Sequence, residues 1–126
     1  IMVIDLFPGL TEGILRHQLH TPGIKGIILR TYGAGNAPTD EWFTAAISDA
    51  VSRGIVIINI TQCANGGVND GRYYAGDRLV KAGVISGHDM TTEAAITKMM
   101  YLFGLGLTAS EVKNYLGCSL IGEVTV

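Results

Sequence analysis

The run Ile55-Val56-Ile57-Ile58-Asn59-Ile60 constrains the fold of this chain more than any other segment. It is rich in β-branched residues and apolar on both sides of an extended strand. That pattern is typical of a central strand in a parallel sheet covered on both faces. Neighbouring parallel strands are joined by crossover connections, usually helices. The run therefore predicts an α/β fold.

The rest of the sequence alternates strand-like and helical patterns, as such a fold requires. Apolar runs at residues 1–6, 26–32 and 84–85 predict three further strands. Helices are predicted at 11–19, from Thr39 or Asp40 to Arg53, at 73–82, from Asp89 or Thr91 to about Gly104, and after the capping box at Thr108. The alternation predicts a small three-layer α/β/α domain over residues 1–126, Rossmann-like, with about four parallel strands.

Composition narrows the class of protein. With 126 residues, 48% of them apolar and 16% charged, the chain has the make-up of one packed globular domain. A net charge of -2 offers no basic surface for nucleic acid, and no apolar run approaches the ~20 residues of a membrane span. Cys63 and Cys118 are expected to be free thiols in a reducing compartment. Because the chain opens on Ile1, without a visible signal peptide, we expect a fragment or a processed product.

Two loops leave the carboxyl ends of predicted strands, where open α/β sheets bind ligands. The first carries Arg30, whose guanidinium suits a carboxylate and whose base follows an apolar run. A structural ion pair of Arg30 with Asp5 or Asp49 is an equally good interpretation. The second loop begins at Thr61. If the two strands are neighbours, both loops line one crevice.

Other polar residues of these loops have plainer explanations. Asn36 is typical of a turn at positive φ, and Gly33-Ala34-Gly35 is too incomplete a dinucleotide fingerprint to predict a nucleotide site. No histidine lies near Cys63 in sequence, so a small buried thiol is favoured over a nucleophile. The histidines lack metal-ligand spacing, and we expect no metal site. The residues alone thus predict a candidate carboxylate-binding crevice and no nucleophile–base pair.

Three blocks of the sequence resemble the asparaginase family. They cover most of the chain, in order and at family-like spacing: residues 28–38 (ILRTYGAGNAP), 54–63 (GIVIINITQC) and 82–102 (AGVISGHDMTTEAAITKMMYL). Asn36-Ala37-Pro38 and Thr61-Gln62-Cys63 favour the cytosolic type I branch over the periplasmic type II branch. The chain therefore resembles the C-terminal domain of a type I L-asparaginase.

The resemblance implies hydrolysis of L-asparagine to L-aspartate and ammonia, without a cofactor, in a cytoplasmic homodimer or homotetramer. Members of the family use threonine nucleophiles and a Thr-Asp-Lys arrangement in an N-terminal catalytic domain. This chain has no Thr-Gly-Gly-Thr segment, so that domain is expected on a longer parent chain, and the isolated fragment is expected to be inactive. The C-terminal domain would supply a subunit interface and an active-site wall. It would also supply an allosteric L-asparagine pocket from Arg30, Asn36, Thr61 and Cys63.

Two other functions fit the same residues. One is the asparaginase-like subunit of a tRNA-dependent amidotransferase, which the acidic charge disfavours. The other is a non-catalytic amino-acid sensor, with Arg30 and Cys63 lining its pocket. An upstream Thr-Gly-Gly-Thr segment would settle the family, and titration with L-asparagine would address the sensor.

Overall fold

The computed structural model describes residues 1–32, 38, 40–62 and 74–124 of the chain. Within these residues, four strands form one parallel sheet in the order β1-β2-β3-β4. The strands are β1 (Met2–Asp5), β2 (Gly26–Thr31), β3 (Val56–Thr61) and β4 (Ile85–Ser86). The predicted sheet is confirmed, with the third and fourth strands each displaced by one residue from their predicted positions. Thr61, which was predicted to begin a loop, is therefore the last residue of β3.

The described residues also form five helices, close to the predicted bounds. They are α1 (Glu12–Leu19), α2 (Glu41–Ser52), α3 (Tyr74–Lys81), α4 (Thr92–Gly104) and α5 (Ala109–Leu116). Helices α1, α4 and α5 begin at a threonine whose hydroxyl accepts a backbone N–H, and α5 has the complete predicted capping box. Asp40 is the N-cap of α2 without a side-chain capping bond. Thr39, the other predicted cap, lies outside the described residues.

The two faces of the sheet are buried against different helices. Residues 27, 29 and 57 pack against α1, α2 and the Leu79 side chain of α3. Residues 28, 56, 58 and 60 pack against α4 and α5. Every residue of β3 is buried, which confirms the prediction of a strand covered on both faces. The architecture is the predicted α/β/α sandwich.

The sheet is wound in one direction. Each strand lies beside the one before it, and α1, α2 and α3, which connect them, pack into a single core on one face. Right-handed crossovers between strands added in sequence produce this arrangement. Helices α4 and α5 follow the last strand and return across the other face to contact β2 and β3. Among the described residues, the second face is therefore covered by the C-terminal part of the chain.

Two contacts fix the carboxyl half of the sheet. The Thr31 hydroxyl donates to Oδ1 of Asn59 at 2.6 Å, so two buried polar side chains on adjacent strands satisfy each other. Beyond β4, the Gly87 N–H donates to the Asn59 carbonyl at 2.8 Å. A Cβ at Gly87 would lie 2.9 Å from that carbonyl oxygen and 2.5 Å from Cγ2 of Ile60, so only glycine fits here.

Candidate functional site

The ends of β1, β2 and β3 meet at one edge of the sheet. Asp5 is the register partner of Arg30, and Thr31 is the register partner of Thr61. Backbone bonds continue the pairing past the strand ends, because the N–H of Leu6 donates to the Arg30 carbonyl at 3.0 Å. The predicted adjacency of the second and third strands is confirmed, so the loops that follow them leave from neighbouring points.

Gln62 joins all three strand ends. Its Nε2 donates to the carbonyls of Leu6 at 2.6 Å and Arg30 at 2.9 Å, and its backbone N–H donates to the Thr31 carbonyl at 2.9 Å. Two carbonyl acceptors also settle which end of the amide carries the nitrogen. Gln62 had no predicted role. The only signal in the sequence was its position directly after a buried strand.

Arg30 pairs with Asp5, one of the two partners expected if the arginine is structural. Nη1 donates to both carboxylate oxygens of Asp5, at 2.9 Å and 3.0 Å. The other expected partner, Asp49 of α2, pairs at 3.1 Å with Arg53, the residue that follows the helix. The Arg30 side chain is 29% exposed and that of Asp5 is 53% exposed. A pair this exposed stabilises a fold by ~1 kcal/mol or less.

The ion pair leaves part of the Arg30 guanidinium without a partner. Nε is buried and has no hydrogen-bond acceptor. Buried donors without acceptors are uncommon in folded proteins, and each needs an explanation such as a bound water or ligand. Arg30 therefore combines a structural ion pair with an unused donor at the carboxyl edge of the sheet.

The remaining predicted site residues are placed less completely. Thr61 is buried at the end of β3. Because side chains alternate along a strand, it points to the opposite sheet face from Arg30, whose register partner is Ile60. The two share the edge of the sheet and not a face, so one ligand could contact both only beyond the strand ends. Asn36 and Cys63 lie outside the described residues.

A second charged pair, absent from the sequence prediction, is buried under α4. Lys98 Nζ lies 2.8 Å from Oε2 of Glu123, and the two side chains are 4% and 9% exposed. Lys98 also donates to the carbonyls of Leu116, at 3.3 Å, and Cys118. The only available signal was a lysine on the apolar face of α4, beside Ala95 and Met99.

The Glu123 carboxylate is held ionised by several donors. It accepts the backbone N–H groups of Leu120 at 2.8 Å and Ile121 at 2.9 Å. Burial raises the pKa of this carboxyl, but the backbone donors, first that of Ile121, together with Lys98 outweigh it and lower the pKa from 4.5 to about 2. The pair is therefore charged at neutral pH and fixes residues 117–124, the C-terminal segment, against α4.

A cavity of about 750 Å³ lies between α4, α5 and the C-terminal segment. Its lining is largely apolar and includes Tyr101 and Ile121, which are 62% and 90% exposed. None of the lining residues comes from the strand ends that carry Arg30 and Thr61. The charged groups on its wall, Lys98 and Glu123, are paired with each other, and the other polar side chains there are those of Thr97, Tyr101 and Tyr115. The mainly apolar lining makes the cavity better suited to contact with another apolar surface than to catalysis.

Metal-binding clusters and membrane-spanning helices are both absent from the described part of the chain. No group of three or more His, Cys, Asp or Glu side chains there could hold a metal ion. No helix there is both long enough and apolar enough to cross a membrane.

Comparison with known proteins identifies the family to which this domain belongs. Residues 1–116 match the model of the glutaminase/asparaginase C-terminal domain, and the chain belongs to that family. It is 42% identical over 125 residues to L-asparaginase 1 of Escherichia coli K12, a match that covers 99% of this chain and 37% of that protein. The crystal structure of L-asparaginase I from Vibrio cholerae superposes with a TM-score of 0.93 at 41% identity, over 99% of this chain and 38% of that one.

More distant relatives share the domain within other proteins. The human 60 kDa lysophospholipase is 40% identical over 98% of this chain and 21% of its own length. A glutamyl-tRNA(Gln) amidotransferase subunit of Thermococcus kodakarensis is 34% identical over 99% of this chain and 28% of its own. The amidotransferase component considered from the sequence is thus a relative, but a weaker match than the asparaginases of Escherichia coli and Vibrio cholerae. The chain spans well under half the length of each of these relatives.

Proposed function

We propose that this chain is the C-terminal domain of an L-asparaginase that hydrolyses L-asparagine to L-aspartate and ammonia in the cytoplasm. In this proposal an N-terminal domain of the same parent chain carries the catalytic threonines. The domain described here contributes a wall of the active site, a subunit interface and a pocket for L-asparagine as an effector. The similarity to L-asparaginases over 99% of the chain supports the proposal. The proposed function involves no nucleic acid, membrane or cofactor.

The unpaired donor of Arg30 is the observation that carries the effector pocket. An α-amino acid presents a carboxylate, and a guanidinium binds a carboxylate through two parallel N–H donors. The buried Nε of Arg30 supplies one such donor near the carboxyl end of β2. Thr61 lies at the carboxyl end of β3, the neighbouring strand. Asn36 and Cys63, from the loops that follow these strands, complete the proposed pocket.

Replacement of Arg30 by alanine is expected to weaken L-asparagine binding to this chain by about 10- to 100-fold, the loss of one charged hydrogen-bonding group. Isothermal titration calorimetry of the wild type and Arg30→Ala measures the effect. Arg16→Ala is the matched control, because Arg16 also pairs with a carboxylate, that of Glu12, but on the exposed face of α1. Equal affinities of wild type and Arg30→Ala would show that Arg30 is only structural.

The apolar surface of α4 and α5 supports the proposed subunit interface. Met99 and Leu102 of α4 are buried in the sheet-facing core, whereas Met100 and Tyr101 are exposed. Exposed Leu105, Tyr115 and Ile121 extend this surface around the cavity. Large contiguous apolar patches are uncommon on monomers, and a two-fold dimer uses the same patch on both subunits. A second copy of this chain is the proposed partner.

Light scattering over a concentration series should therefore show a monomer–dimer equilibrium for the isolated chain. Ile121→Asp should shift the equilibrium towards monomer, because a charge would be desolvated in the interface. Val80→Asp places the same charge at an exposed position of α3, outside the proposed interface, and should leave the monomer–dimer equilibrium unchanged. A wild type that stays monomeric at its highest soluble concentration would contradict the interface.

A further inference from the structure

The hydrogen bonds of Arg30 are confined to one side of its guanidinium. Nη1 donates to both carboxylate oxygens of Asp5. It is the terminal nitrogen that lies on the same side of the Nε–Cζ bond as Cδ. Nε and Nη2 form the parallel donor pair on the opposite side. Neither of these two nitrogens has an acceptor within residues 1–32, 38, 40–62 and 74–124. The edge formed by Nε and Nη2, which can match a carboxylate bidentately, is therefore the edge to which Asp5 supplies no acceptor.

The backbone of the sheet fixes where Asp5 stands relative to Arg30. The two are direct register partners on β1 and β2, so their side chains lie on the same face of the sheet. Leu6, the next residue, donates its N–H to the Arg30 carbonyl and accepts from Gln62. The backbone on both sides of the Asp5 side chain is thus hydrogen-bonded to β2 and to Gln62, which fixes the point from which the carboxylate reaches Arg30.

From this geometry we infer that Asp5 is a positioning residue: it holds the Arg30 guanidinium so that the edge formed by Nε and Nη2 receives the carboxylate of an amino-acid ligand. The inference rests on the effector pocket proposed above. A free arginine side chain would have to be ordered when the ligand binds, and that loss of freedom weakens binding. With Nη1 already bound by Asp5, most of this ordering is complete in the free protein.

A purely electrostatic role for Asp5 has the opposite consequence. Its negative charge reduces the attraction of Arg30 for a second carboxylate, so removing that charge would strengthen ligand binding. The positioning role makes the same removal weaken binding. The sign of the effect of a substitution at Asp5 therefore separates the two roles.

The experiment compares calorimetric titrations of wild type, Asp5→Ala and Asp5→Asn with L-asparagine and with L-asparaginamide, which lacks the carboxylate. Asp5→Ala is expected to weaken L-asparagine binding about twofold to tenfold, the cost of ordering one long side chain. Its binding of L-asparaginamide should be unchanged, whereas a general structural defect would affect both ligands. Asp5→Asn keeps an oxygen acceptor for Nη1 and should recover much of the loss. Glu12→Ala, which removes the carboxylate partner of Arg16, should have no effect.

The outcomes are distinct. Tighter L-asparagine binding by Asp5→Ala, equal losses with both ligands, or a loss in Asp5→Asn as large as in Asp5→Ala, would overturn the positioning role. If Asp5→Ala does not fold, as judged by circular dichroism, Asp5→Val, which suits a strand and also offers Nη1 no acceptor, takes its place with the same expected results. Failure of the wild-type chain to bind L-asparagine would instead reject the effector pocket itself.

Discussion

Glu123→Ala is expected to destabilise the domain by about 3–5 kcal/mol, because it leaves the buried ammonium group of Lys98 without a counter-charge. Lys98 Nζ would keep only the carbonyls of Leu116 and Cys118 as acceptors. The same substitution removes the acceptor for the N–H groups of Leu120 and Ile121, so the C-terminal segment would lose its own fold as well. Urea denaturation followed by circular dichroism measures the change in the free energy of unfolding.

Two variants show whether the charge is responsible. Lys98→Met combined with Glu123→Gln removes both charges at similar volume and should recover most of the lost stability, since a buried pair can be replaced by uncharged groups at little cost. Glu12→Ala removes the exposed helical pair with Arg16 and should cost ~0.5 kcal/mol or less. A Glu123→Ala protein as stable as the Glu12→Ala protein would contradict a stabilising role for the buried pair.

The pair also makes stability depend on pH. The pKa of Glu123 is about 2 in the folded chain and 4.5 as its ordinary value. Its contribution is therefore fully present above pH ~4.5 and is lost as the pH falls towards 2, because the unfolded chain takes up the proton first. The difference in the free energy of unfolding between wild type and Glu123→Gln, measured by urea denaturation, should therefore become smaller as the pH falls from about 4.5 towards 2.

The isolated chain is expected to release no ammonia from L-asparagine above the reagent blank. A hydroxyl nucleophile needs a base within hydrogen-bond reach. In the part of the chain that the structure describes, the Thr31 hydroxyl donates to the Asn59 amide oxygen, which is not a base, and the Lys98 ammonium is held by Glu123. Enzymes accelerate such reactions by about 10⁶-fold or more, so the difference from a complete enzyme is large.

A coupled ammonia assay on the purified chain provides the measurement, and added full-length asparaginase is the positive control. Turnover near that of the complete enzyme would place the chemistry on this domain and reject the division of labour proposed here. If the chain releases no ammonia but calorimetry detects that it binds L-asparagine, the effector pocket lies on this domain and catalysis lies elsewhere in the parent chain.

The elements of the fold were predictable because their signals are local. Residues 55–60 are apolar at every position except Asn59, and Thr108 and Glu111 form a capping box within one turn, so each element can be recognised from a few neighbouring residues. The order of the strands and the burial of each face follow from the alternation of strands and helices. Segment boundaries moved by one or two residues, as helix and strand ends commonly do.

The candidate site was predictable only in part, because its contacts join distant segments. Arg30 was a candidate from its place after an apolar run, but Asp5 and Asp49 could not be distinguished as partners before the register of β1 and β2 was known. Lys98 and Glu123 come together only because the chain turns back after α5. The opposite orientation of Arg30 and Thr61 likewise depends on strand register, and no short motif encodes it.

The one-directional winding of the sheet has a consequence for how the chain is made. During synthesis the strands and the helices of the first face emerge in order, but the described residues that cover Ile28, Ile58 and Ile60 lie mainly on α4 and α5, which leave the ribosome last. Until then the nascent domain exposes a broad β-branched surface of the kind that aggregates or recruits chaperones. Premature termination anywhere before α4 would leave that surface open permanently, so the cell should degrade such truncated products.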